Sequence, residues 1–405
     1  MKSIRFGIIF AAVVGVAVLS GCMSNQAPQG FSGIVSNGET LYVGSADGRI
    51  LALDTELRAT NAAFPAPGEW EYSITHESRS GFGCSASQVA STVYGTPVLN
   101  DGHLCVGTYE GQVLMLDAGA RAESSAFPQV RSGEWIYPRD DDRLGPVVGS
   151  PTIVGNTVYV CSSVTEKRRT YGTVYAIDRL YGDELWVSER LDGKLWVTPA
   201  VEDGVLYIST YDGHLYALDA VTGEVQSWSY TGDVGFVSSP VVRDGVIYVA
   251  SFDRQLQAVR AGSATPEWRF EGGNWFWATP LLMGDVLYAP CLDGKMYALD
   301  ANDGSPVWGE PFEASGALAT SPLVMGSQLG VVTKDGDVYV VDKDTGRGTR
   351  IANPDNEKAT TCNAAVVASP AYHDGTMFVR TQTNVLWALD PVARSVEYTF
   401  ELDME

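Results

Sequence analysis

Side chains able to do chemistry are sparse in this 405-residue sequence and stand far from one another. The histidines, His76, His103, His214 and His373, show no metal-ligand spacing to each other or to a cysteine. The cysteines (Cys22, Cys84, Cys105, Cys161, Cys291, Cys362) are all isolated, so no Cys-x-x-Cys pair is present. Neither a Gly-x-Ser-x-Gly elbow nor a glycine-rich phosphate loop occurs. Asp300-Ala-Asn-Asp-Gly304 has the outline of a calcium loop, but its counterpart Asp219-Ala-Val-Thr-Gly223 lacks the further oxygen ligands. Both therefore read as turns in which the first aspartate accepts backbone N–H groups. Arg139-Asp-Asp-Asp-Arg143 reads as a solvated loop. The expectation is a chain with no catalytic residue, no metal site and no bound cofactor.

Cys22 is the exception. Lys2 and Arg5 precede an apolar stretch over residues 6–19, followed by Leu19-Ser20-Gly21-Cys22. A basic start, a short apolar segment and small residues before a cleavage point describe a secretory leader. The Leu-Ser-Gly-Cys ending resembles the bacterial lipobox, which implies cleavage before Cys22 and lipid on that residue. Residues 1–21 are then a leader, 22–30 a lipidated polar tether, and 31–405 the folded part. This places the chain outside the cytoplasm, anchored to a membrane rather than spanning it. Acidic residues are absent just after Cys22, which in a two-membrane bacterium favours the outer membrane.

Composition narrows the rest. Apolar residues make up 45% and aromatics 10%, enough for a large core and too much for disorder. With 49 Asp+Glu against 27 Lys+Arg, the formal charge is −22, and such a surface repels phosphate backbones. Nucleic acid is accordingly excluded as a partner. Past the leader, no apolar run is long enough for a transmembrane helix.

These scattered residues are carried by one pattern written eight times: a small residue and Pro, an apolar segment, a Gly turn, an apolar-Tyr-apolar segment, Asp-Gly, then Leu-Tyr-Ala-Leu-Asp. Pro97, Pro151, Pro199, Pro240, Pro280, Pro322 and Pro370 open seven copies, and Ile34 opens the eighth. Eight residues on stand Tyr42, Cys105, Tyr159, Tyr207, Tyr248, Tyr288, Gly330 and Phe378. Twelve further on comes Asp54, Asp117, Asp219, Asp300, Asp342 or Asp390; copy five has Arg260, and copy three reaches Asp178 after a seven-residue insertion between Ser163 and Gly172. A last aromatic follows: Trp70, Trp135, Trp186, Trp228, Trp268, Trp308 or Tyr398, with Arg350 in copy seven. Each copy holds four short alternating segments divided by turn residues, the signature of antiparallel hairpins. Four strands per repeat, with successive prolines about 40–54 residues apart, is the propeller period. The predicted fold is all-β: an eight-bladed β-propeller of four-stranded antiparallel blades, one domain despite its length.

The repeat resembles the quinoprotein-type (PQQ-like) β-propeller family. The resemblance rests on Thr-Tyr-Asp-Gly-His-Leu-Tyr-Ala-Leu-Asp over 210–219 with Gly223 to Trp228, and on Cys-Leu-Asp-Gly-Lys-Met-Tyr-Ala-Leu-Asp over 291–300 with Gly304 to Trp308. Within that family, eight blades and a lipobox are most similar to the lipoprotein branch that serves outer-membrane protein assembly, which implies a non-catalytic scaffold that docks protein partners. The other branch, the quinone-dependent dehydrogenases, implies PQQ stacked between a Trp and a disulfide of adjacent cysteines, with calcium held by acidic and amide groups. This chain has no adjacent cysteines. That enzyme, or a small-solute sensor using the central funnel, is the alternative.

Loop direction points to the binding surface. In a meandering blade, second-to-third turns and blade crossovers emerge on one face, and the other turns on the opposite face. The long segments 72–94, 137–149, 164–171 and 351–366 all belong to the first face, which is therefore loop-rich and suited to recognition. Aromatics gather there just ahead of the innermost strands: Tyr94, Trp196, Phe236, Trp275, Phe276 and Trp277 are the expected partner-binding residues. Cys84 and Cys362 lie in loops of the same face that flank copy one, and form a candidate disulfide. Cys105, Cys161 and Cys291 read as small buried hydrophobes. The repeated Trp reads as blade-to-blade packing.

Overall fold

The computed structural model describes residues 32–60, 62–78, 87–119, 127–128, 133–139, 144–352 and 360–402. The leader and tether expected over 1–30 lie outside them. Eight antiparallel sheets follow one another along the chain, each a meander of four consecutive strands. Blade 4 is representative: Ala200–Glu202, Val205–Ser209, His214–Asp219 and Val225–Thr231.

A sheet of four short strands cannot bury both of its faces by itself, so the blades bury each other. The apolar core divides into clusters that each join two neighbours: Tyr42 and Trp70 of blade 1 meet Leu104 and Leu116 of blade 2. Cys105 and Met115 of blade 2 meet Val158 and Val160 of blade 3. The series continues to the joint of blade 8 with blade 1, where Phe378 and Leu386 pack on Leu41 and Leu53. The ring is closed.

Repeated aromatic residues hold these joints. Trp135, Trp186, Trp228, Trp268 and Trp308 each donate the indole N–H to a carbonyl in the next blade's last turn: Arg179, Ala220, Ser263, Ala301 and Lys343. Tyr159, Tyr248 and Tyr288 donate to the same carbonyls of Ala220, Ala301 and Lys343. The indole lies flat on the glycine of that turn. At Gly223 φ is +74°, and a Cβ would meet the Trp186 ring at 2.3 Å. The recurrent aspartates cap these turns: Asp219 Oδ1 accepts N–H groups from Val221 and Thr222, both at 2.8 Å.

The small residue before each proline also has a task. The Thr96 N–H donates to Ser150 Oγ, Ser150 to Thr198 Oγ1, Thr198 to Ser239 Oγ, and Ser321 to Ser369 Oγ, which links neighbouring innermost strands around the axis. In blade 1 the position is Gly33, where a Cβ would lie 2.2 Å from Thr96 Oγ1.

No strand is exchanged between chain ends, since blades 1 and 8 each take all four strands from one continuous segment. Side chains close this seam instead. Tyr398 Oη donates to the Thr55 carbonyl at 3.2 Å, and Arg49 Nη2 to the Leu402 carbonyl at 3.0 Å. Arg58, on a short helix over Thr55–Ala59, sits over the Phe400 ring at 4.9 Å while paired with Glu69.

Two segments expected as loops are strands. Thr75–Ser78 pairs with Ser87–Ala90 as an extra hairpin between blades 1 and 2. The insertion of blade 3 is not a loose excursion, because Thr157–Glu166 and Arg169–Asp178 stay paired to their ends. Leu191–Asp192 adds a further strand beside Tyr171 and Gly172.

Candidate protein-docking site

The loop-rich face is fixed by backbone hydrogen bonds. In blades 2, 4, 5 and 6 the second-to-third turn donates to the crossover that enters its own blade: Tyr109 to the Thr92 carbonyl, Tyr211 to Lys194, Phe252 to Gly235, Leu292 to Trp275. On the opposite face, third-to-fourth turns bond first-to-second turns, as Ala220 does to Gly204 and Ala301 to Asp285. The described parts of all four long segments named from the sequence therefore belong to one face.

The aromatics there divide by register against the following proline. Extended backbone points alternate side chains in opposite directions. Three residues ahead of the proline stand Tyr94, Trp196 and Trp277, which are half-buried or exposed; Trp277 is 38% exposed. Four residues ahead stand Val93, Val147, Leu195, Phe236, Phe276, Leu318 and Val366, all nearly or fully buried. Phe236 and Phe276, expected among the partner-binding residues, are at 0% exposure and pack in the joints between blades 4 and 5 and blades 5 and 6. They are corrected from surface to core.

Trp275 lies one position further back and is braced. Its Nε1–H donates to the Phe252 carbonyl at 2.8 Å, and the two rings meet edge-on at 5.6 Å. Phe252 meets Tyr211 edge-on at 5.2 Å, and Tyr211 meets Trp196 at 5.6 Å. Lys194 Nζ stands 3.5 Å from the centre of the Trp196 ring. The result is an arc, Trp196–Tyr211–Phe252–Trp275, across blades 4 to 6, with Trp277 beside it. Tyr94 belongs to a separate pair with Tyr109, at 5.5 Å. Burial pushes the Tyr211 phenol up and the Lys194 ammonium down, the latter partly opposed by Asp212.

Tyr109, Tyr211 and Phe252 were missed in the sequence. All three stand twelve residues after their copy's proline, so the same offset arithmetic that located the strands would have found them.

Among the described residues, no three His, Cys, Asp or Glu side chains come together as a metal site. Cys105, Cys161, Cys291 and Cys362 sit buried in separate blades. The disulfide-Trp-calcium constellation expected of a quinone site therefore does not fit the residues present, and no step is assigned through such a group. Cys84, the proposed partner of Cys362, lies outside the described residues, as does Cys22.

Comparison with known proteins agrees with the architecture. Residues 170–308 and 274–349 match the family model described as outer membrane protein assembly factor BamB. Among solved structures, BamB from Moraxella catarrhalis is similar at 17% identity, with a TM-score of 0.58 over 87% of this chain and 91% of that one. The computationally designed Ika8 protein is similar at 13% identity and a TM-score of 0.54, over 75% of this chain and 85% of that one. No curated protein sequence matches. Over residues 170–349 the chain is similar to that family, and its fold is the propeller of these structures.

Proposed function

We propose that this chain is a lipid-anchored, extracytoplasmic scaffold without chemistry of its own, which docks protein partners of the cell envelope on its loop-rich face. The family model it matches is described as an outer-membrane assembly factor, and partner docking is the activity such a description carries to a similar propeller. The lipid anchor rests on the Leu-Ser-Gly-Cys22 sequence. Among the described residues of the face, no three His, Cys, Asp or Glu side chains come together as a metal site, whereas its aromatics form a continuous arc.

The observation that carries the reading is Trp277, a large aromatic left 38% exposed beside a braced arc of four others. Exposed tryptophan on a rigid support is the residue type that most often dominates protein–protein binding energy. The test is a Trp277→Ala variant recovered by affinity purification from its native membrane. Recovery of partners should fall at least tenfold, with the melting temperature unchanged within a degree or so, because the ring is not part of a blade joint. Undiminished recovery would remove Trp277 and the arc from the docking surface. Lipidation is tested separately, by loss of metabolic palmitate labelling in Cys22→Ser.

A further inference from the structure

Blade 3 carries a second contact surface that the aromatic arc does not explain. Its two middle strands, Thr157–Glu166 and Arg169–Asp178, remain paired up to Glu166 opposite Arg169. The matching strand of blade 4 ends at Ser209, aligned with Cys161, so the hairpin runs five residues further, roughly 16 Å at the rise of a β-strand. The tip is Lys167 and Arg168, with φ of +46° and +73°. Two-residue hairpin turns of that geometry favour Asn and Gly, since a side chain at positive φ is strained. Here both positions carry a long cation.

The tip is rigid, and its cations are unpaired although Arg168 and Arg169 share a cavity lining with Asp192 and Asp212. Arg190 neutralises Glu166 through two 2.9 Å hydrogen bonds and lies over the Tyr171 ring at 5.5 Å. The Gly193 N–H bonds the Thr170 carbonyl at 3.2 Å. Lys167, Arg168 and Arg169 are exposed, and among the described residues none of them makes an ion pair. The opposite face has the reverse charge: its first-to-second turns present Asp101, Asp203, Asp244, Asp285 and Asp374, all exposed.

The chain also enters the ring on the hairpin's side. Ser32 lies against Gly44, at the end of blade 1's second strand and beside the second-to-third turn. Ten residue steps separate Cys22 from Ser32, which reach at most about 35 Å. Resting on the lipid-anchor reading above, we infer that the loop-rich face is turned toward the bilayer, with the Lys167–Arg168–Arg169 tip as a second contact on anionic lipid headgroups. The acidic turns stand about a strand length farther away, near 20 Å, which is about twice the screening length at physiological salt. The bilayer therefore meets the basic tip and stands clear of these five aspartates, while the second-to-third turns of neighbouring blades, with Asp212, Asp253 and Asp293, lie on the tip's own face.

The test uses the full chain with Cys22→Ser, so that lipidation plays no part, sedimented at about 0.15 M salt with vesicles of equal parts phosphatidylglycerol and phosphatidylcholine. Binding to these vesicles and not to pure phosphatidylcholine is expected. Substituting Lys167→Asn, Arg168→Gly and Arg169→Thr suits the turn's geometry and keeps the hairpin while removing its charge. At about fivefold per basic side chain, partitioning should fall roughly 100-fold. Three results would overturn the proposal: no sedimentation with anionic vesicles, equal sedimentation of the substituted chain, or binding of an oligo-glutamate peptide without vesicle binding, which would assign the tip to an acidic protein segment. Because the assay omits the anchor, its failure is distinct from failure of palmitate labelling at Cys22.

Discussion

Removing Arg58 should open the ring at one joint only. Arg58 and Glu69 are 1% and 5% exposed, and Arg58 Nη2 stands 2.8 Å from Glu69 Oε2. Glu69 also accepts the N–H groups of Asp54 and Ala66, each at 2.9 Å, while the guanidinium covers Phe400 from the last strand. Arg58→Met keeps most of the stem's packing but leaves a buried carboxylate with its cation gone. Breaking one side of a buried pair costs about 3–5 kcal/mol. The two backbone donors that remain on Glu69 favour the lower end, about 3 kcal/mol, or roughly 150-fold in an opening equilibrium. Because no strand is shared across the seam, that loss should be local. Hydrogen exchange in Ser395–Glu401 should accelerate by about that factor, with Val225–Thr231 of blade 4 as the unchanged reference. Adding Glu69→Gln removes the stranded charge and should restore at least half of the protection. Equal acceleration in both strands, or none in Ser395–Glu401, would refute a side-chain seam.

Trp268→Phe removes one indole N–H from the Ala301 carbonyl, which keeps Tyr248, so it should cost about 1 kcal/mol in thermal denaturation. Gly304→Ala should cost more, since a Cβ there meets the Trp268 ring at 2.7 Å and φ is +74°. Backbone and hydroxyl hydrogen bonds hold the Asp219 and Asp342 carboxyls below their ordinary value of 3.8. Their contribution is then complete above that value and is lost as pH falls through the lower folded one, so the melting temperature should be flat above about pH 5 and drop below about pH 4. Burial pushes the Cys105, Cys161 and Cys362 thiols far up and the Cys291 thiol up to about 12, so iodoacetamide should label none of them in the folded chain and all of them after unfolding.

Much of the ring was legible because each blade repeats its turn chemistry at fixed offsets. The proline, the residue eight positions later and the closing Asp fall beside or within the first three strands, even in blade 7, where Gly330 and Arg350 break the pattern. Arg350 instead pairs with Asp337 at 2.7 Å, in a blade whose other three strands are regular. The surface was less legible. Asn274-Trp-Phe-Trp277 reads as one aromatic run, yet extended backbone splits it, sending Phe276 inward and Trp277 outward. Only register against Pro280 separates them. The blade 3 hairpin reads as a loop because Lys-Arg-Arg carries none of the Asn-Gly signal that marks a tight turn, and its pairing is held by Arg190 and Leu191, some twenty residues away.

The docking claim is tested most directly by a photo-crosslinking residue at position 277, compared with one at Val221, which is 80% exposed on the opposite face. In the native membrane, discrete protein adducts should form from position 277 and not from position 221. Adducts from 221 alone, or an equal pattern from both, would contradict a loop-rich face that docks partners.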